Sequence, residues 1–281
     1  MRPLTGAVVL QRDTMQARIA QALQDMEEKN RALQRANQDL EQFAFIASHD
    51  LQSPLRGVWG FAHMLEERYA DRLDDDGREY LEFIAQGIEQ MQSLLQNLVD
   101  FSSASQAGAP KGSTDMAKAF EKSCTQLAAE ITQSGASIEC GPLPTLPGDA
   151  SQMVQLFSHL LDNAIKFRRP ESTPHIKVTA TRHADSWLFS VRDHGIGIDA
   201  KHREKIFKLF QRLHTADQIP GTGIGLALCE KIVQRHGGII WADAAIGGGT
   251  LISFTLSTAS GGGHSQPPMR VPRLPRPELP A

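Results

Sequence analysis

Histidine and aspartate stand side by side at His49 and Asp50, within the stretch Phe43 to Phe61 that reads FAFIASHDLQSPLRGVWGF. Neutral imidazole is a nucleophile near pH 7, because its unperturbed pKa is about 6.5, and an adjacent carboxylate can orient it and take its proton. Leu40, Ala44, Ala47, Leu51, Leu55, Val58, Ala62 and Leu65 recur in steps of three and four, the seam of a helix in a bundle or coiled coil. At about 100° per residue, His49 falls roughly 160° to 200° from Ala47 and Leu51, so a helix that buries those two presents the imidazole outward. Pro54 cannot donate to the carbonyl of Asp50 and crowds it, which predicts a kink just below His49 at a cost of about 3 kcal/mol or more. A surface histidine on a helix is ordinary; an outward His and Asp beside a costly bend suggest a site.

Three later segments suit a nucleotide. In Asp193-His194-Gly195-Ile196-Gly197 a carboxylate ends a strand and two glycines follow. Glycine permits left-handed backbone and close ligand approach, and a buried Asp can accept the exocyclic amine of adenine. Gly221-Thr222-Gly223-Ile224-Gly225-Leu226 opens a helix, where backbone amides and the positive end of the dipole can hold phosphates. Within Leu160 to Phe167, Asn163 and Lys166 are three apart and share a face. They can offer an amide oxygen to Mg²⁺ and an ammonium to a phosphate. Singly these read as a turn, a helix entry and a solvated face; together, about 30 residues apart in one domain, they point to a nucleotide site.

The chain that must position them has 281 residues, 41% hydrophobic and 22% charged, enough for two ordinary domains with a real core. A net charge of −3 gives no basic footprint for nucleic acid. Cys124, Cys140 and Cys229 are few, odd in number and far apart, which argues against a disulfide framework or a zinc site and fits a reducing compartment. No apolar run approaches the roughly 18 residues of a membrane span and no signal peptide opens the chain, so a cytoplasmic protein is expected.

Residues 5 to 10, TGAVVL, look like a short strand, and residues 1–14 resemble the end of a PAS sensor domain. From Met15 the chain turns polar and helix-favouring, with Ile19, Leu23, Met26, Leu33 and Leu40 spaced for a coiled coil that runs into the His49 helix and ends near Tyr69. ADRLDDDG is a turn, and a second helix from about Arg78 to Ser103 carries Leu81, Ile84, Ile88, Met91, Leu95 and Leu98. One two-helix hairpin has no core, but two make a four-helix bundle, so a homodimer is expected. Ser102 to Ser113 is rich in Ser, Gly and Pro and reads as the linker.

Beyond it helices and strands alternate. Asp115 to Ser134 and a segment capped by Asp149 read as helices, GPLPTLPG as a loop, and Lys201 to Leu213 as amphipathic. Thr222 to His236 is also helical; Ala136 to Cys140, His175 to Arg182, Trp187 to Val191, Ile239 to Asp243 and Thr250 to Leu256 are strands. That is a two-layer α/β sandwich. After Ser260 the chain is too rich in Pro to fold and is expected to be disordered.

In order and wording these motifs resemble the dimeric sensor histidine kinases of two-component signalling, in the subgroup found beside bacteriophytochrome and PAS sensors. Ser48-His49-Asp50-Leu51 with Pro54 and Leu55 matches the phosphoacceptor box, and Asn163, Ala164, Lys166 and Phe167 match the N box. Asp193, Gly195 and Gly197 match the first glycine box, Phe207 and Phe210 the phenylalanine box, and Gly221, Gly223 and Gly225 the second glycine box. Gly249-Thr250 matches the turn that closes the adenine pocket.

The resemblance implies a multidomain chain. It would comprise a signalling coiled coil (15–39), a dimerisation and phosphoacceptor hairpin (40–104), a linker (105–114), a Bergerat/GHKL ATP-binding domain (115–258) and a tail (259–281). It also implies phosphorylation of His49 from Mg-ATP, with Asp50 as base, then transfer to an aspartate on a separate response regulator. Leu213 to Pro220 would be the ATP lid, from which Arg212 and His214 would reach phosphates.

Two positions depart from the pattern. His159 stands where many members have Asn one turn before the N-box Asn, which leaves its place at the metal open. Ser53 stands where Thr or Asn often aids dephosphorylation of the regulator, so weak phosphatase activity is expected. Two other classes stay open: a degenerate kinase serving as a dimeric nucleotide-binding scaffold, and an ATPase of the wider superfamily, which leaves His49 unexplained.

Overall fold

The structure is a computed structural model that describes residues 4–106, 112–170, 172–213, 219 and 221–258; the side chains of residues 4–14 and of several other helical residues, His49 among them, lie outside the description. The expected tail after 258 and His214, expected in an ATP lid, also fall outside it. Helix α1 is a single rod, Leu4–Tyr69, of 66 residues. The short strand expected over residues 5–10 is therefore corrected: Leu4 to Leu10 begin α1. Four apolar residues in a row, Ala7 to Leu10, do not fix a period, whereas a helix satisfies its backbone locally and needs no partner strand. The rod runs through Pro54 without ending.

A single 3₁₀ turn, Ala70–Arg72, leads into α2, Asp75–Gln106. Asp74 Oδ1 accepts from Gly77 N at 2.9 Å, and Asp75 and Asp76 place negative charge in the first turn of α2. The expected linker starts late, because Ser102 and Ala104 are buried (1% and 3% exposed) and hold the helix to Gln106.

The apolar seam of the hairpin resolves into two stripes. Ser48, Leu55 and Ala62 of α1 and Leu81, Ile88 and Leu95 of α2 are partly or fully buried, in heptad steps that close the hairpin. A second stripe remains in solvent: Leu51, Val58 and Leu65 are 52%, 51% and 48% exposed, with Ile84 and Met91 exposed on α2.

The second unit begins with β1 (Ser113–Asp115), α3 (Met116–Gln126) and α4 (Ala128–Ser134). The one helix expected over 115–134 is thus broken at Leu127, and Gly135 ends it in the left-handed region (φ 67°). Next come β2 (Ser137–Cys140), β3 (Thr145–Pro147) and α5 (Ala150–Lys166). The expected loop over 141–148 contains β3, which pairs antiparallel with β1 through Thr114 and Leu146. Asp149 caps α5 as read from sequence, accepting from the amides of Ser151 and Gln152.

Then follow β4 (His175–His183), β5 (Ser186–Asp193), α6 (Gly225–Arg235), β6 (Ile240–Ala244) and β7 (Thr250–Ser257). The amphipathic stretch 201–213 forms two short 3₁₀ turns, Ala200–His202 and Lys205–Phe207, rather than a longer helix. The main sheet has the order β2-β4-β5-β7-β6, parallel only between β2 and β4. Val178, Val191, Ile252 and Ala242 stand in one row across four strands and are buried. Phe189 and Phe254 stack at 4.9 Å, and Phe157 of α5 meets both edge-on. This is the expected two-layer α/β sandwich, following a helical hairpin.

His236 makes folding sensitive to acid. It is buried, its Nδ1 is 2.7 Å from Ile232 O and its Nε2 accepts from Asp149 N at 3.1 Å. This arrangement needs the neutral ring, and burial lowers the His236 pKa. Below the unfolded value of about 6.5 the unfolded chain binds the proton more readily, so stability falls as pH drops from about 6.5 through the folded pKa. The urea midpoint is expected to be lower at pH 5.5 than at pH 7.5, and His236→Gln is expected to shrink that difference.

Candidate functional site

Strand alternation decides where the carboxylate of Asp193 goes. Val191 is buried on the helix-covered face, so Asp193, two residues on, turns to the same side beneath α5. Its Oδ1 accepts from Gly195 N at 2.8 Å and from Thr250 N at 2.9 Å, which fixes the carboxylate from two separate turns. Burial pushes the pKa of Asp193 up, while the amides of Thr250 and Gly195 oppose the shift. Both amides are on Oδ1, and the Thr250 hydroxyl also bonds to the carboxylate, while neither of these backbone amides takes Oδ2.

The glycines are there because side chains do not fit. A Cβ on Gly195 would overlap Phe167 O, and one on Gly249 would overlap Asp193 O. Gly197 and Gly223 adopt φ of 79° and 72°, a region costly to residues with a Cβ.

A cavity of about 300 Å³ lies beside Asp193, between α5, the loop before α6 and the ends of β5 and β7. Its α5 wall is one helical stripe, His159, Asp162, Asn163 and Lys166, spaced i, i+3, i+4 and i+7. Lys166 Nζ meets Asp162 Oδ2 at 2.7 Å, both side chains partly exposed, so the ammonium expected at a phosphate is held here by a carboxylate of its own helix. Burial lowers the pKa of His159, with the charges of Asp162 and Asp100 opposing, and so favours the neutral ring.

Opposite, α6 begins at Gly225 behind Ile224, which provides no side-chain cap, and Gly221, Gly223 and Gly225 line the cavity. The open amides of that first turn are donors without a side-chain partner. Thr250 lines the cavity too, as does Arg212, whose Nη2 donates to Ile219 O at 2.8 Å. Of the phenylalanine pair, Phe207 is buried and Phe210 is exposed, with a left-handed φ of 58°.

Two lining residues come from the hairpin and were not suggested by the sequence. Ser93 and Asn97 of α2 face the cavity, and Asn97 Nδ2 donates to Thr222 Oγ1 at 3.2 Å. One turn on, Lys231 Nζ of α6 sits 4.3 Å from the ring centre of Phe101. Gln52 of α1 contacts Gln96 of α2 at 3.5 Å, so the turn of α1 that carries His49 runs beside the stretch of α2 that walls the cavity. Asp50 and Ser53 are exposed, Ile46 is 50% exposed and Phe45 half-buried; Ser48 Oγ donates to Ala44 O at 2.6 Å. Among the described residues, no three His, Cys, Asp or Glu cluster as a metal site, and no helix is long and apolar enough to cross a membrane.

Residues 39–107 match the His Kinase A (phospho-acceptor) domain, and residues 148–260 match the histidine kinase-, DNA gyrase B-, and HSP90-like ATPase. Cyanobacterial phytochrome A of Nostoc sp. is 44% identical over 80% of this chain and 29% of its own length. The phytochrome-like protein Cph1 of Synechocystis sp. is 38% identical over 90% of this chain and 34% of its own. The chain thus spans about a third of the length of these curated relatives. The solved structure of full-length ShkA in complex with AMPPNP shares the fold, with a TM-score of 0.62 and 24% identity over 78% of this chain and 47% of that one. With a phosphoacceptor hairpin and an ATPase sandwich in this order, the chain belongs to the sensor histidine kinases.

Proposed function

We propose that this chain is an ATP-dependent protein-histidine kinase that phosphorylates itself on His49 and serves an aspartate of a separate response regulator. The observation that carries the proposal is the Asp193 carboxylate, half-buried at one end of the cavity with two backbone amides on its Oδ1. Its Oδ2, which neither amide takes, would accept the adenine amine, and the amides at the start of α6 would receive the phosphates. The imidazole of His49 would attack the γ-phosphorus as the bond to the β,γ-bridging oxygen breaks; ADP leaves and the imidazole proton passes to Asp50. The regulator's carboxylate then attacks the phosphohistidine, giving an acyl phosphate and restoring the ring.

Asn163 is the residue that would hold Mg²⁺, through its amide oxygen. A hard cation that keeps waters and binds phosphate oxygens fits a wall with one such oxygen, and the imidazole nitrogen of His159 suits it less well. Bound there, Mg²⁺ would neutralise charge on the transferring group. Lys166 would have to share its ammonium between Asp162 and a phosphate. Arg212 is within reach of the cavity; Ser53, exposed and short, supports weak phosphatase activity only.

Incubation with γ-labelled ATP and Mg²⁺ tests the reading. Label that is acid-labile and alkali-stable supports it; nucleotide bound without label would point to the scaffold instead.

The exposed stripe of Leu51, Val58, Leu65, Ile84 and Met91 supports a homodimer whose four helices bury it. Val58→Asp places a carboxylate on that seam in each copy. The dissociation constant is expected to rise by more than about a hundredfold, because each buried unpaired charge costs at least about 2 kcal/mol. Sedimentation over a concentration series measures it.

A further inference from the structure

Arg169 lies three residues past the end of α5, outside every motif that pointed to chemistry. Its backbone is set by a turn in which Ser172 donates to Arg169 O through both N (3.2 Å) and Oγ (2.9 Å). From there the side chain spans two loops. Its Nε donates to Gly195 O at 3.2 Å, and its guanidinium lies on Gly248, where an added Cβ would overlap Nη2.

These two glycines belong to the two turns that supply the amides on Asp193 Oδ1. Gly195 gives its own N–H, and Thr250 follows directly on the run Gly247-Gly248-Gly249. That run has φ of 87°, 97° and 93°, with no side chain of its own to pack. Such a segment keeps its shape only if something outside holds it. Arg192, the neighbour of Asp193, donates to Ile246 O on one side of the run, and Arg169 covers the other. Arg169, like the Asp193 carboxylate itself, bears on both turns at once.

We propose that Arg169 is a positioning residue for base recognition: it ties the two glycine turns together, so that Oδ2 of Asp193 meets the 6-amino group of a purine at a fixed place. The proposal rests on the kinase reading, since it takes the cavity to hold ATP. Arg169 itself touches neither base nor phosphate. Its effect should therefore fall on discrimination between purines and not on the transfer step.

The test uses the full chain with Arg169→Ala, Arg169→Lys and, as a control, Arg168→Ala, whose arginine donates to Ile165 O within its own turn. Titration calorimetry gives the dissociation constants of ADP and of inosine diphosphate, which lacks the amino group. Their ratio within one preparation does not depend on how much of the sample is folded. Arg169→Ala is expected to shrink the preference for ADP by about tenfold, and to change the rate of labelling at saturating ATP by less than about threefold. Arg169→Lys should restore part of the preference, having one donor for Gly195 O but no plane to lay on Gly248. An unchanged ratio in Arg169→Ala, or a loss confined to the saturated rate, overturns the proposal. Failure of the parent chain to bind ADP overturns the kinase reading, and this inference with it; ADP binding with an unaltered ratio removes the inference alone.

Discussion

A His49→Gln chain is expected to take up no measurable label from γ-labelled ATP, yet to bind ATP within about twofold of the parent. The lone pair of a carboxamide nitrogen is delocalised into its carbonyl, so glutamine offers no nucleophile at pH 7, although it keeps similar bulk and polarity. The loss should be complete because the proposal makes the residue the acceptor itself, not an aid to another acceptor. His63 cannot substitute, being 14 residues along the same helix, about 21 Å away at 1.5 Å per residue. Label retained in His49→Gln would move the acceptor elsewhere; lost ATP binding would mean that His49 acts through the nucleotide site instead.

Asp193→Asn should do the reverse, leaving the acceptor intact and emptying the site. If the amide oxygen keeps the two N–H groups of Gly195 and Thr250, its NH₂ replaces Oδ2 and faces the adenine amine, donor against donor. If the amide flips, the NH₂ instead meets the two backbone donors. Either way a buried donor goes unpaired and a bond to a carboxylate is lost, together about 3 kcal/mol, or roughly two orders of magnitude in ATP affinity. Titration with ATP measures the shift, and a change under about threefold would remove Asp193 from base recognition.

Much of this site was legible because its chemistry is local in sequence. The glycine segments announce backbone that side chains cannot occupy, and Asp193 follows from strand alternation two residues past Val191. The spacing of Asn163 and Lys166 likewise put them on one face. What could not be read were contacts between segments far apart. Asn97 meets Thr222 across 125 positions, and Arg169 meets Gly195 and Gly248, without any period to reveal the pairing. The i, i+4 spacing of Asp162 and Lys166 suits an ion pair as well as the phosphate role expected of Lys166, and the pair is what the structure shows. Misread elements were short or ambiguous: residues 5–10, whose apolar run suits strand or helix, and β1 and β3, three residues each, which exist only through each other.

Ser93 and Asn97 give the cavity a wall that belongs to the phosphoacceptor hairpin. With ATP bound as proposed, a movement of α2 that alters this wall would change the free energy of nucleotide binding. Linkage is reciprocal: if a shift of the hairpin weakens ATP tenfold, bound ATP opposes that same shift tenfold, or by about 1.4 kcal/mol. Fuel and hairpin movement would then act on one equilibrium, and the ratio of ATP to ADP around the protein would help set how readily the rod moves.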